Sequence, residues 1–298
     1  MLTERQCSEV KTLSIITAIF QAIAQVLTYI FPLSESGHSA IFHDFAARYS
    51  NNCSELTGLI HIGMAIGLIV AFYKVFLKLI FEFISTGKEI FTKQLDIKNT
   101  SNSRKFYYFT YIPYIFMLVY LIPVGGERNI YTLLHSYSYD GNLLSEGICF
   151  IINAALLIGA FKMIQKTEKG RQLSLVSALL LALGVFFALP VSGLSLVAVV
   201  VSFCAFFSVN TKVAVRYFVS ISAPVLLVKG FIEVFTCVSY VNIVAGIIGV
   251  VLAGAATFFA SKFLLMVVRK NYLNYFSIYN FAIGFITLVI GIVEIIIK

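Results

Sequence analysis

Phe31-Pro32-Leu33-Ser34-Glu35-Ser36-Gly37-His38 puts a helix breaker, two hydroxyls, a carboxylate, a glycine and an imidazole into one short stretch of an otherwise apolar neighbourhood. An almost unbroken apolar run from Leu13 to Phe31 precedes it, and Pro32 stops the helix that run predicts. The segment from about Ser39 to Asn52 predicts a short returning helix with Arg48 at its end. It is too short to span a bilayer, which takes ~20 helical residues. The pair therefore reads as a re-entrant hairpin with the polar turn at its tip. Polar backbone at membrane depth is tolerated only where protein or a water-filled cavity surrounds it. The plainer reading is a surface loop after a buried helix, but such a loop has little need of two serines, a carboxylate and a histidine together. The turn is the candidate functional site, with Ser34, Glu35 and His38 as its chemical groups.

Composition fixes the class. Of 298 residues, 59% are hydrophobic and 12% charged, and the mean hydropathy is +0.93, too little polar surface for a soluble globule. The apolar segments have the length of spanning helices and lack the alternation of an outer-membrane barrel. An all-α polytopic membrane protein is expected, one integral domain over residues 1–298. Its 22 basic and 14 acidic residues, net +8, gather in short loops. That pattern speaks for orientation and anionic headgroups, and against nucleic acid. Cys7, Cys53, Cys149, Cys204 and Cys237 are odd in number and show no CxxC spacing, so neither a disulfide framework nor a zinc site is indicated. No small-residue cleavage site follows the first apolar run, which is not read as a removable signal peptide.

Taken in order, residues 56 to 83 predict a long spanning helix. The loop 86–105 carries Lys88, Lys93, Lys98, Arg104 and Lys105 against Glu89 and Asp96, and is cytoplasmic by the positive-inside rule. A helix over about 106–124 contains Pro113; the sparsely charged loop 127–142 is then external. A helix over about 143–161 returns to Lys162, Lys166, Lys169 and Arg171 on the cytoplasmic side. From Leu173 the opening pattern recurs. An apolar run to Leu189 meets Pro190-Val191-Ser192-Gly193-Leu194-Ser195, and a shorter run of 196–208 follows. Both turns put proline, an aliphatic residue and serine at the end of a long apolar helix. Such repeats of broken helices point to a binding site between two halves, here approximately 1–160 and 161–298. Helices over 217–236, 240–268 and 275–297 complete about six spans, with Gly246, Gly249 and Gly254 as close-packing positions.

Lys229 and Glu233 lie four apart inside an apolar run and share one helix face. Each unpaired charge at that depth costs at least ~2.5 kcal/mol, so they pair or line a wet cavity, and whether they serve a substrate or each other is open. His61 reads as a packing residue that one more turn of helix could bring to the same cavity. Glu146 and Glu294 read as paired or interfacial.

With these residues in view, the chain resembles the bacterial undecaprenyl-diphosphate phosphatase family, also called the bacitracin-resistance phosphatase. Its first signature, E-G-L-T-E-F-L-P-V-S-S-T-G-H, is similar to Gln25-Val26-Leu27-Thr28-Tyr29-Ile30-Phe31-Pro32-Leu33-Ser34-Glu35-Ser36-Gly37-His38. Similarity continues through Ile60-His61-Ile62-Gly63, Ala71-Phe72-Tyr73-Lys74, Ile112-Pro113, the stretch Tyr217 to Pro224, and Ser277-Ile278-Tyr279-Asn280. The resemblance implies an inverted repeat with two re-entrant hairpins whose tips meet in an outward-facing cavity. It also implies removal of the terminal phosphate from the diphosphorylated lipid carrier of cell-wall synthesis, in a bacterial plasma membrane, with magnesium or calcium and a homodimer. Residue by residue, Ser34 and His38 match, and Ser36 keeps the hydroxyl of a threonine. The two signature glutamates fall on Gln25 and Tyr29, and a serine falls on Glu35. In the second signature, P-G-x-S-R-S-G, the chain keeps the shape with Pro190, Ser192, Gly193 and Ser195 but has Leu194 where the arginine stands. The sites implied are thus Ser34, Glu35 and His38 for catalysis, and Gln25, Tyr29, Ser36, Ser192, Gly193 and Ser195 for substrate.

Three readings follow: a phosphatase with a rebuilt site, a homologue that binds or translocates polyprenyl phosphate, and a transporter or structural membrane protein for another ligand. A cation reaching the hairpin tips would favour the first over the second.

Overall fold

Proline, glycine and polar clusters interrupt the apolar runs, and most helices end at such interruptions. The computed structural model describes residues 15–46, 54–93, 100–125, 128–138, 142–167, 170–236 and 243–297. The first half runs α1 (Ile15–Ile30), α2 (Glu35–Ala46), α3 (Ser54–Ala71), α4 (Tyr73–Phe91), α5 (Asn102–Met117) and α6 (Ile130–Ser138). The second runs α7 (Leu144–Lys166), α8 (Leu175–Ala188), α9 (Leu196–Phe206), α10 (Thr211–Thr236), α11 (Ile243–Arg269) and α12 (Leu273–Ile297). Between α5 and α6 lie a 3₁₀ turn, Leu118–Leu121, and a small antiparallel pair, β1 (Pro123–Gly125) with β2 (Arg128–Asn129).

Two helix–break–helix hairpins are present where the sequence places them, α1–α2 and α8–α9. In the first, the helix restarts at Glu35, so Glu35, Ser36, Gly37 and His38 form the opening turn of α2 and only Phe31 to Ser34 are the bend. The expected end of that helix, with Arg48, lies outside the described residues. Among the described residues four helices, α7, α10, α11 and α12, are long and apolar enough to cross a membrane, and α3 with α4 makes a fifth if taken together. The chain is a multi-pass membrane protein.

The bounds of two expected helices are corrected. Residues 56–83 are not one helix, because the chain breaks at Phe72 and turns through 89° between α3 and α4. The Ala71 carbonyl freed there accepts a hydrogen bond from Lys262 Nζ on α11 at 2.5 Å, and the same ammonium lies 4.7 Å from the centre of the Phe72 ring. That pairing satisfies a backbone group with no partner in its own helix. The expected helix over 106–124 stops being α-helical at Met117 and passes through the 3₁₀ turn into the β-pair.

The loop expected over 86–105 also shrinks, since α4 continues to Phe91 and α5 starts at Asn102; Asp96 and Lys98 lie outside the described residues. Arg104 there donates to Glu82 at 2.6 Å and to Glu89 at 2.7 Å, tying α5 to α4.

α12 lies along α7, α3 packs against both α10 and α11, α1 against α11, and α9 against α7. The contact that matters for the site is α3 on α10. A Cβ on Gly58 would stand 2.7 Å from the Gly230 carbonyl oxygen, and one on Gly230 would stand 2.7 Å from the Gly58 oxygen. Only glycine lets the two backbones approach this closely. Gly63 and Gly67 perform the same service for α3 against α11, where added Cβ atoms would run into the Val250 and Gly254 carbonyl oxygens.

Candidate functional site at the crossing of the hairpins

The tips of the two hairpins touch. Ser34 holds φ +67°, a left-handed conformation that strains a residue with a side chain. Its Oγ accepts from the Gly37 N–H at 3.2 Å, capping α2, and contacts the Leu194 carbonyl of the second tip at 3.4 Å. Ser36 Oγ lies 3.4 Å from Ser34 Oγ and accepts from the Gly193 N–H at 3.2 Å. A Cβ on Gly37 would stand 2.9 Å from Gly193 Cα, so glycine at 37 is what allows the tips to cross. Two asparagines fix the bends. Asn153 on α7 donates to the Gly193 carbonyl at 2.7 Å and accepts from the Ser195 N–H at 3.1 Å. Asn280 on α12 donates to the Pro32 carbonyl at 2.7 Å. These bonds answer the requirement that broken helices within a membrane find partners for their freed backbone groups.

Beside the first tip stands a cluster of four charged or titratable groups drawn from three helices. Glu35 opens α2, His61 is on α3, and Lys229 and Glu233 are one turn apart on α10. Lys229 Nζ is 3.3 Å from Glu35 Oε2 and 3.9 Å from Glu233 Oε1. His61 Nδ1 is 2.6 Å from Glu233 Oε2, and its Nε2 is 3.5 Å from Glu35 Oε1. The imidazole thus spans two carboxylates, and the ammonium bridges the same two from the other side. Burial is graded, with His61 at 0% exposed, Glu35 at 9%, Glu233 at 22% and Lys229 at 39%. The cluster therefore opens on the Lys229 side. The Gly58–Gly230 contact lies one turn from His61 on α3 and adjoins Lys229 on α10, and it sets the separation at which these side chains meet.

The remaining sequence-predicted residues divide. Gln25 and Tyr29 lie one turn apart on α1; Gln25 Oε1 and Tyr29 Oη are shielded from solvent and lack a partner of ordinary geometry, with Ser222 of α10 beside Tyr29. Buried polar atoms left open in this way mark space for water or a ligand's polar group. His38 is turned to other neighbours. Its Nδ1 lies 2.8 Å from the Ser34 carbonyl oxygen, which can only accept, so the ring donates there. In the neutral ring Nε2 then accepts from the Tyr279 hydroxyl at 2.6 Å, and the two rings stack. Ser195 Oγ caps α9 by accepting from the Ala198 N–H at 3.3 Å. Ser192 is buried in the second tip.

Glu294 accepts from the Leu143 N–H at the start of α7 at 3.1 Å, and Glu146 accepts from the Ser145 hydroxyl at 2.9 Å. Both are held by local partners. His61, expected as a packing residue, joins the charged cluster, and Asn153, a lone amide in the middle of an apolar helix, holds the second tip. The segment 127–142 is expected as an external loop. That segment holds α6, whose Tyr131 and His135 stack on each other and stand within the field of Lys229.

A magnesium or calcium ion fits this donor set poorly. Glu35 and Glu233 are the carboxylates available to it, and both are already shared between the His61 imidazole and the Lys229 ammonium. Lys229 Nζ stands between them where a bridging cation would supply its charge. Among the described residues no three His, Cys, Asp or Glu side chains are arranged to hold a metal ion.

Residues 18–286 match the family described as bacitracin resistance protein BacA. Three curated proteins, each called undecaprenyl-diphosphatase, are similar along nearly the whole chain. The one from Halothermothrix orenii is 24% identical over 94% of this chain and 99% of its own length. That from Alkaliphilus metalliredigens is 25% identical over 92% and 98%, and that from Korarchaeum cryptofilum 26% over 91% and 97%.

Proposed function

Because the chain belongs to the bacitracin resistance protein BacA family, we propose that it hydrolyses the terminal phosphate of a polyprenyl diphosphate held in the membrane, as its curated relatives' name indicates for them. The observation that carries this reading is the Lys229 ammonium 3.3 Å from Glu35 at the hairpin tip. It provides the positive charge that a diphosphate needs and that Leu194 does not. A cation at this place favours hydrolysis over a role limited to carrying polyprenyl phosphate.

In this reading Lys229, the most exposed member of the cluster, meets the diphosphate first and neutralises part of its charge. The hydroxyls of Ser34 and Ser36 and the Gly193 N–H, now joined by contacts of 3.2 to 3.4 Å, turn to the phosphoryl oxygens. Gln25 and Tyr29 supply further donors from α1. Glu35 takes a proton from a water as that water attacks the terminal phosphorus, and the bridging P–O bond breaks to release inorganic phosphate and the polyprenyl monophosphate. His61, pinned by Glu233, lies behind Glu35 and is the group positioned to relay that proton. His38 holds the tip through Ser34 and Tyr279 and is a positioning residue here.

The test is phosphate release from a short-chain polyprenyl diphosphate by the purified protein, beside Glu35→Gln. Release by the native chain and a loss of at least about 100-fold in the variant are expected, the size typical of removing a catalytic base. Native protein that binds the lipid but releases no phosphate would overturn the reading.

A further inference from the structure

A second site lies at the opposite end of α10. Where α3 breaks into α4, a cavity of about 400 Å³ is lined by Lys74, Lys212, Arg216 and Lys262, with Phe72 and Leu265 among its apolar walls. The cations come from α4, α10 and α11. Arg216 also borders a smaller adjoining cavity of about 190 Å³ beside Tyr107 and Gln172. Among the described residues no carboxylate forms an ion pair with any of the four. Lys262 gives one proton to the Ala71 carbonyl and lies over the Phe72 and Phe258 rings, contacts that leave its full positive charge in place.

Position separates this cavity from the hairpin crossing. Arg216 and Lys229 are thirteen residues apart on α10, about 20 Å at 1.5 Å per residue. Arg216 belongs to the first turns of α10, just after the segment in which Arg171 pairs with Val209, on the side that carries the excess of lysine and arginine. The helix that leaves the break, α4, turns Leu77, Ile80, Phe81 and Ile84 outward while carrying Lys74, Lys78 and Lys88. Such a helix, at nearly a right angle to α3, suits the plane of the membrane surface.

Four like charges around one concave space, with no acid among them, raise the local concentration of anions well above that over a flat surface. We propose that this cavity binds a phosphate group at the cytoplasmic face, offered by an anionic lipid headgroup or by free phosphate. Three lysines and the Arg216 fork supply the donors; the Phe72 and Leu265 walls and the apolar side of α4 suit the glycerol and first acyl carbons of a lipid. Orientation alone would also place cations here, but it needs no cavity and implies no saturable partner.

The experiment is the thermal midpoint of the full chain in neutral detergent, titrated with phosphatidylglycerol, with phosphatidylcholine, or with inorganic phosphate against chloride at equal ionic strength. A saturable rise with phosphatidylglycerol alone identifies the lipid source; a rise with inorganic phosphate identifies the soluble one. In Lys74→Gln/Arg216→Gln the response should shift to roughly 25-fold higher ligand, about fivefold per cation removed near a membrane surface. Lys88→Gln, on the same helix outside the cavity, should respond as the native chain does. No rise with any anion, or equal responses in the native chain and the double variant, would overturn the proposal. Should the double variant not fold, native mass spectrometry of the unaltered chain decides: one retained phospholipid or phosphate is expected, and none refutes it.

Discussion

Lys229→Met separates a site organised by a protein cation from one in which that lysine merely neutralises its neighbours. In the native cluster Nζ stands 3.3 Å from Glu35 and 3.9 Å from Glu233. At the effective dielectric of a partly exposed pair these separations correspond to attractions of about 5 and 4 kcal/mol. The net loss on removal is far smaller, because Lys229 is 39% exposed and water screens much of that attraction. His61 also remains between the two carboxylates to share their charge. A stability loss of about 1–3 kcal/mol is therefore expected, below the 3–5 typical of breaking a fully buried pair.

The effect on turnover should be larger. A group aimed at charge developing in the transition state is worth about 100- to 1000-fold in rate, and methionine keeps the stem of Lys229 without its charge. Phosphate release from a short-chain polyprenyl diphosphate should fall by that factor, with Lys229→Arg recovering a substantial part. The thermal midpoint should fall only by the few degrees that the stability loss implies. If Lys229→Met releases phosphate within threefold of the native rate while remaining folded, the ammonium does not serve the reaction and the mechanism above is wrong.

Chelation provides a second test: phosphate release should survive excess EDTA, and a loss reversed by magnesium or calcium would show that a divalent ion, and not Lys229, carries the charge. Gly58→Ala should destabilise the fold by about 1–3 kcal/mol, as overpacking does, because its Cβ would meet the Gly230 oxygen at 2.7 Å; it should also slow turnover by moving His61 away from Glu233. Asn153→Ala leaves the Gly193 carbonyl and the Ser195 N–H without partners, about 1–3 kcal/mol for each buried group, and denaturation should report a fall in that range. Tyr279→Phe removes the hydroxyl that His38 accepts from; turnover should change by less than tenfold, whereas His61→Ala should remove at least about 100-fold.

The hairpins were legible because their cause is local. Pro32 and Pro190 end apolar helices, serine and glycine follow, and the returning segments are too short to span a membrane; each fact is visible within a dozen residues. Lys229 and Glu233 were legible as a pair for the same reason, since a helix brings residues four apart onto one face. Their partners were not. Glu35, His61 and Lys229 meet only because α3 and α10 touch at Gly58 and Gly230, and that contact joins positions far apart in the chain. The break at Phe72 was hidden for a different reason, because Ala71-Phe72-Tyr73 holds neither proline nor glycine. The turn is stabilised from outside the segment, by a lysine on α11 that satisfies the Ala71 carbonyl.

Set against the signatures that the chain resembles, the site has exchanged the places of its charges. Acids expected on α1 are replaced by Gln25 and Tyr29, and an acid appears at the tip as Glu35. The cation expected at the second tip is replaced by Leu194, and a cation reaches the first tip from α10 as Lys229. An acid moved alone to the tip would face a diphosphate with bare negative charge; a lysine alone would sit in a largely apolar bundle without a counter-ion. Together they give the crossing of the hairpins a cation and a carboxylate 3.3 Å apart, beside the hydroxyls that flank Glu35 in the chain. Reversing one half of the exchange should therefore harm more than reversing both. Glu35→Ser alone strips Lys229 of its nearer partner and removes the proposed base, whereas Glu35→Ser with Tyr29→Glu returns an acid to α1 within the field of the same lysine. Phosphate release by the double variant above that of Glu35→Ser is the expected result, and equal or lower release would show that the two positions cannot stand in for one another.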